Sequence, residues 1–508
     1  MKKVIRFLSG RLAITCYFIL LQLLVLFITI LTFATYFLYI YFIMLIISMF
    51  LIIAIVNDDS NPTFKMAWII PMLIFPLFGA PLYLIFGRSK VSNRIARKLN
   101  DNFSSIKDIQ LQAPEIFDEL SAENADVTKQ FKYIYNTSNS PVYKNTQTEF
   151  LELGEVFYKQ LLIELEKAEK FIFLEYFIID HGVMWESVLE ILTRKARQGV
   201  EIRLMYDDLG TISLLDKHYP KHLNSLGIKT VIFNPFHASL DAFLNYRDHR
   251  KITIIDGNVG FTGGINLADE YINEKLRFGH WKDSSVMIKG DAVTRLTIMF
   301  LQLWYFATNS DEQVYEPYFN TVRYEDDGYV QPFSDSPVSG HLTGELAYMG
   351  MINNAKNYVY ITTPYLILDN EMVTAIRLAV KSGVDVRIIT PHIPDKGYVH
   401  AVSRANYAVL LKAGVKIYEY IPGFIHSKTI VVDDELAIVG TTNFDFRSFY
   451  LHFENGVLMY KSKCVLQVKD EYFSILEKSN EITMEEYDRQ RWGKKFVGKV
   501  LRLFSPLM

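Results

Sequence analysis

Two histidine–lysine pairs are the residues of this sequence best equipped for chemistry, and the chemistry they suit is attack on phosphorus. His249-x-Lys251 opens HRKITIID, which ends on Asp256, and His426-x-Lys428 opens HSKTIVVD, which ends on Asp433. The agreement runs further: Gly263 and Gly440 stand fourteen residues after their histidines, Asn266 and Asn443 seventeen. A lone His-x-Lys reads as a half-buried strand with a satisfied core histidine, but five positions repeated at one spacing outweigh that reading. Alternate side chains of a strand share a face, so each His and its Lys point together. A neutral imidazole can attack phosphorus, and an ammonium beside it can hold the phosphoryl oxygens. Two such pairs would surround one phosphate and support two steps: one histidine takes the phosphoryl group, the other protonates the leaving alcohol and deprotonates the incoming one.

Further residues could complete the site. Asn266 and Asn443 can add neutral hydrogen bonds to the same oxygens. An attacking imidazole needs a partner on its other nitrogen. Asp283 in HWKDSSVMIKG and Glu454 in HFENGVLMYKS stand in matched contexts for that role. Asp256 and Asp433 close the two motifs and are counted with their catalytic residues. They sit an odd number of residues from their histidines and begin turns, so the role expected of them is capping or hydrogen bonding rather than that of a base. No metal and no cofactor is expected, since the sequence has no HExxH, no Cys-x-x-Cys and no carboxylates clustered at metal spacing.

The elements that would position these residues repeat as well. FLELGEVFYKQLLIELEKA has a helical period, FIFLEYFII reads as a buried strand, MWESVLEILTRKARQG as a helix ending on Gly199, and VEIRLMYDD as a strand. The order returns as YVYITTPYLIL, NEMVTAIRLAVKSG and VDVRIITP. Each copy then passes through Gly-Ile-Lys at 227–229 or Gly-Val-Lys at 414–416 on the way to its histidine motif. The fold class expected is therefore α/β, two α/β/α domains from an internal duplication. The turn-rich stretch from Tyr324 to Gly340 is the expected seam.

The chain of 508 residues is 50% hydrophobic, and its N-terminus accounts for the excess. From Leu12 to Val56 there is no charged residue, histidine, proline or glycine. At about 1.5 Å per residue, one helix over that run far exceeds a hydrocarbon core of roughly 30 Å, so two membrane spans are expected. Lys2, Lys3, Arg6 and Arg11 place the N-terminus in the cytoplasm. A third apolar stretch, Met66 to Phe86, contains Pro71, Pro76, Gly79 and Pro81 and is followed by Arg88, Lys90, Arg94, Arg97 and Lys98. It cannot be one smooth helix, and basic flanks on both sides argue that it is re-entrant or interfacial, with the rest of the chain cytoplasmic. Two cysteines, Cys16 and Cys464, give no disulfide framework, and a formal net charge of -3 argues against a general nucleic-acid binder.

The duplicated HxKxxxxD followed by GGxN or GTxN resembles the phospholipase D superfamily. Within it the chain is similar to the bacterial cardiolipin synthases over nearly its whole length. The phrases that carry this are NYRDHRKITIIDG with FTGGINLADEY, ITTPYLILD, LLKAGVKIYEY, GFIHSKTIVVDDELAIVGTTNFDFRSF, and the Pro-rich AWIIPMLIFPLFGAPLYLIFGR. The resemblance implies transfer of a phosphatidyl group from one phosphatidylglycerol to another, giving cardiolipin and glycerol through a phosphohistidine, with phosphatidylglycerol and anionic bilayer lipids as partners. It also implies His249 as nucleophile and His426 as general acid and base, an order the sequence alone leaves open. One departure is His452, which stands where the family commonly has Asn. A phospholipase D-type hydrolase or a transferase to another alcohol shares the same histidines. A nuclease of this fold is disfavoured by the membrane segments and the lack of basic excess, a non-catalytic lipid-binding scaffold by the intact motifs.

The organisation expected is a membrane anchor at 1–88 in a bacterial cell membrane, an amphipathic linker at 89–139, the two domains at 140–325 and 326–485, and a tail at 486–508. In the tail, Trp492, Phe496, Val500, Leu503 and Phe504 fall near helical spacing among lysines and arginines. Such a helix suits an anionic bilayer, or packing on the second domain. Oligomeric state is not legible.

Overall fold

The computed structural model describes residues 11–87, 97–99, 112–235, 245–311, 313–325 and 327–507, with backbone only at 11–15, 29–35 and 507. Two compact units divide the chain. One holds the described residues of 1–92 and 496–508; the other holds those of 93–237 and 244–495.

In the first unit the two spans expected over the apolar run are instead one unbroken helix, α1 (Arg11–Val56). Nothing in the run breaks a helix, since it lacks proline and glycine. Among the described residues, Tyr36–Val56 is the one stretch long and apolar enough to cross a membrane. The third apolar stretch is broken at Phe75, between α2 (Pro62–Ile74) and α3 (Pro76–Leu82). Pro76 starts the second piece, and the two lie close: a Cβ on Gly79 would meet the Met72 Cα at 2.5 Å. The basic residues Lys2, Lys3, Arg6, Arg88, Lys90 and Arg94 lie outside the described residues.

The second unit contains the duplication. In its first half a sheet of seven strands runs in the order β1-β9-β7-β6-β2-β3-β4. These are β1 (Thr146–Leu151), β2 (Phe171–Tyr176), β3 (Glu201–Asp207), β4 (Lys229–Phe233), β6 (Ile252–Ile255), β7 (Val259–Gly263) and β9 (Ser285–Gly290), with β5 (Arg247–Asp248) and β8 (His280–Lys282) standing apart. The second half repeats the order as β10-β17-β16-β15-β11-β12-β13 and adds β18 (Ser479–Ile482) at the edge. Its strands are β10 (Tyr329–Asp335), β11 (Tyr358–Thr362), β12 (Asp385–Pro391), β13 (Lys416–Tyr420), β15 (Thr429–Val432), β16 (Leu436–Gly440) and β17 (His452–Tyr460), with β14 (Gly423–Ile425) apart. In each half three parallel strands meet an antiparallel set. The middle of the expected seam is thus a strand, β10, paired along its length with β17.

Apolar runs bury on both faces of the sheets. Ile172, Phe173 and Leu174 of β2 are fully buried, each contributing about 1.5–3 kcal/mol of transfer free energy. The stretch expected as a linker is different over its described part. It forms α4 (Pro114–Glu123) and α5 (Ala125–Ser138), whose Leu120, Val127, Phe131 and Ile134 enter the core of the second half. Their helical spacing makes one apolar face, and a face of that size is buried rather than left amphipathic on a linker.

Candidate active site

The three short strands that stand apart from the two main sheets, β5, β8 and β14, build the site. β5 pairs in parallel with β17 of the other half, His452 opposite Arg247 and Phe453 opposite Asp248. β14 pairs in parallel with β8, Ile425 opposite Lys282. Each half therefore sends the strand that precedes its histidine onto a strand of its partner half. The His249 amide donates to the Phe453 carbonyl at 3.0 Å, and the His426 amide to the Lys282 carbonyl at 2.7 Å.

The crossing decides the pairing of side chains. His249 Nδ1 lies 2.9 and 3.0 Å from the two Glu454 oxygens, and His426 Nδ1 lies 2.5 Å from Asp283 Oδ2. Each histidine is held by the carboxylate of the other half. Both carboxylates are fully buried and both histidines nearly so. With Nδ1–H on a carboxylate, each ring presents Nε2 as its free position. Lys251 and Lys428 are buried beside them, each ammonium donating to the carbonyl of its own motif's histidine.

Burial governs the charges. It lowers the His249 pKa well below the usual imidazole range, helped by Lys251 and Lys428, and lowers His426 to about 4, with Lys428 adding to the effect. It lowers Lys251 to about 7 and Lys428 to about 8, Glu454 and Asp283 resisting the shift in each. Burial opposes the charge on Asp283, yet Lys428, His426 and the Ser284 amide together hold its pKa below the ordinary value. The site thus has neutral rings and two lysines poorly solvated for their charge, an arrangement that suits a phosphodiester anion.

The glycine and threonine fifteen residues after the histidines, absent from the sequence reasoning, explain how the carboxylates fit. A Cβ on Gly264 would come within 2.1 Å of Asp283 Oδ1, so any larger residue there would push Asp283 from its place against His426. Its counterpart Thr441 instead donates its hydroxyl to Glu454 Oε2. The GG and GT of the two motifs were the available signal.

Asp256 and Asp433 do not join the site, which corrects their place among the catalytic residues. Asp256 accepts from the amides of Glu169, Lys170 and Phe171 at 2.7–2.8 Å, and Asp433 from those of Lys356, Asn357 and Tyr358 at 2.6–2.8 Å. Each ties the end of its motif strand to the start of the neighbouring antiparallel strand, β2 or β11. Asn266 is largely committed elsewhere, accepting from the Ile178 amide at 2.9 Å and donating to the Tyr271 hydroxyl at 2.7 Å. The buried Asn443 has no hydrogen-bond partner on its Oδ1 among the described residues.

Aromatic walls finish the site. Phe177 lies 5.2 Å from the His249 ring and carries Lys251 over its face at 5.5 Å. Trp281, Tyr271 and Phe424 lie 5.4, 5.7 and 5.7 Å from the His426 ring. Donor atoms of His249, His452 and Glu454 fall within 4.8 Å of one another, near enough to share a cation. The positive charges of Lys251, Lys428 and Lys396 felt at His249 favour an anion there instead.

This geometry is repeated in the relationships of the sequence. The family profile described as "Cardiolipin synthase, PLD-like domain" matches twice, at residues 161–304 and 348–476, once in each half. The chain belongs to the cardiolipin synthase family of phospholipase D-like proteins. A second profile of that superfamily, "Phospholipase_D-nuclease N-terminal", matches residues 46–88. A cardiolipin synthase of Alkalihalophilus pseudofirmus is 34% identical over 465 residues, 91% of this chain and 92% of that protein. An uncharacterized protein of Streptococcus mutans is 41% identical over 460 residues, 90% of this chain and 99% of that one. The crystal structure of a phosphatidylserine synthase of Haemophilus influenzae superposes with a TM-score of 0.56 at 17% identity, over 75% of this chain and 98% of that one, a likeness of fold alone.

Proposed function

We propose that this protein is a cardiolipin synthase, moving the phosphatidyl group of one phosphatidylglycerol onto a hydroxyl of a second and releasing glycerol. The observation that carries the reading is the crossed arrangement of His249–Glu454 and His426–Asp283 around two buried lysines, in a chain of this family. Lys251 and Lys428 hold the non-bridging oxygens of the phosphodiester. His249 Nε2 attacks phosphorus; the P–N bond forms as the P–O bond to the headgroup glycerol breaks, and His426 gives its proton to the departing oxygen. The hydroxyl of the second lipid then returns a proton to His426 as its oxygen attacks phosphorus and frees His249. Glu454 and Asp283 stabilise the positive charge each ring carries in turn. The assignment of His249 as nucleophile follows the family resemblance.

A general acid must hold a proton that His426, lowered by burial to about 4, lacks at neutral pH before substrate binds. Burial depresses this ring most and the lysine charges add to it; the arriving phosphate anion offsets the lysines' share and so favours a proton on the ring.

The reaction joins two lipids, and the enzyme works at the bilayer. In this reading the protein is a multi-pass protein of the bacterial cell membrane with its catalytic unit on the cytoplasmic side. Residues 492–502 form a helix whose Trp492, Phe496 and Val500 are exposed, in keeping with a tail that rests on anionic lipid.

Incubating the purified protein with phosphatidylglycerol alone, followed by lipid mass spectrometry, tests the function. Cardiolipin with released glycerol is the expected result. Phosphatidic acid alone would mark a hydrolase, and absence of turnover would overturn the reading.

A further inference from the structure

One of the differences between the two halves lies directly beside their histidines. Trp281 and His452 each stand two residues before a pairing carboxylate, Asp283 or Glu454, and each ring lies next to the histidine that carboxylate holds, at 5.4 and 5.5 Å between centroids. On the His426 side the neighbour is a large apolar ring. On the His249 side it is an imidazole, at the first residue of β17, sharing a strand face with Glu454.

The His452 side chain is about nine-tenths buried, with 10% exposed. Its Nδ1 stands 3.6 Å from Glu454 Oε1, too long for a good hydrogen bond, and among the described residues neither ring nitrogen has a hydrogen-bond partner. An unmet buried polar group is costly unless a ligand satisfies it. Burial lowers the pKa of this ring to about 4 against the pull of Glu454, so it is neutral at neutral pH and offers one donor and one acceptor. The nearest carboxylate lies on the Nδ1 side, which favours the proton there and leaves Nε2 as an acceptor. An acceptor nitrogen suits a hydroxyl and repels a phosphate oxygen.

We propose that His452 reads the glycerol unit, its Nε2 accepting a hydrogen bond from the hydroxyl that does not react. The inference rests on the phosphatidyltransfer reading and adds to it a preference for a polyol over a simple alcohol. His452 forms no bond to phosphorus; it selects what attacks the phosphohistidine.

The test is a competition. The full-length enzyme acts on phosphatidylglycerol in the presence of isotopically labelled glycerol and 1-propanol, which lacks the additional hydroxyls, and the ratio of labelled phosphatidylglycerol to phosphatidylpropanol is measured. Release of unlabelled glycerol gives the rate of the first step. The wild type should favour glycerol. His452→Phe should lower the ratio by roughly tenfold, the worth of one hydrogen bond, with the maximal rate of glycerol release at saturating phosphatidylglycerol kept within about threefold, since bound donor and transition state lose the same hydrogen bond. His452→Asn, which retains a donor and an acceptor on a shorter arm, should recover part of the preference. His452→Leu serves equally if thermal unfolding shows the Phe variant misfolded. An unchanged ratio in the folded Phe or Leu variant overturns the proposal. Loss of glycerol release in that folded variant also overturns it, placing His452 in the bond-breaking step. A wild type that releases no glycerol overturns the phosphatidyltransfer reading and this one with it.

Discussion

A buried imidazole can attack phosphorus only if its other nitrogen is anchored and its charge, once formed, is met nearby. Here both needs fall on a carboxylate borrowed from the opposite half, Glu454 for His249 and Asp283 for His426. Glu454→Gln and Asp283→Asn keep shape but lose the charge, and each should slow transfer by roughly 10²–10⁴-fold with the fold intact, measured as initial rates of cardiolipin formation. The lysines set a pH dependence. An ammonium carries its charge below its pKa, so affinity for the phosphodiester is present at low pH and lost as pH rises through about 7 for Lys251 and about 8 for Lys428. On the acid side His249 stays neutral, because its pKa is depressed. Hence kcat/KM should already fall as pH rises from about 6 through about 7, and fall further through about 8; a profile level to about pH 9.5 would contradict this. Repeated spacing picked out the histidines and lysines, and matched sequence contexts the two carboxylates. Which carboxylate serves which histidine was not, since matched contexts say nothing about which strands cross.

Elements hold these groups in register through contacts that do no chemistry. Asp256 and Asp433 each gather three backbone amides at the start of the adjacent strand, and each has a positive φ, 52° and 54°. Asp256→Ala or Asp433→Ala should cost about 2–3 kcal/mol in denaturant unfolding, from orphaned amides and a strained turn, while activity per folded molecule stays within a few-fold. The odd spacing from His to Asp foretold this role. The repeated strand–helix–strand order was likewise readable, because parallel strands buried on both faces leave continuous apolar runs. Helices α4 and α5 escaped notice, since their apolar positions are few and the core that receives them lies far along the chain. β5 and β14 were invisible as strands: they are two and three residues long and pair only across the halves.

At the scale of the molecule, duplication supplies two incomplete sites that complete each other. Neither half contains both a histidine and the carboxylate that holds it, so catalysis belongs to the closed pair. The membrane contacts carry separate predictions. In a form of the protein without its membrane spans, deleting the residues after Asp488 should weaken binding to vesicles containing phosphatidylglycerol, seen by co-sedimentation. Single cysteines near Asn61 and Ser104 should report topology, and labelling of the latter only from outside the cell would contradict a cytoplasmic catalytic unit. The most direct test of a single shared site is the set His249→Ala, His426→Ala and the double variant, assayed on phosphatidylglycerol. The account predicts that each single variant loses at least about 10³-fold and that the double loses little more, because one phosphate needs both rings. Near-normal or half-maximal activity in either single variant would mean two independent sites, and the crossed arrangement would not be the seat of catalysis.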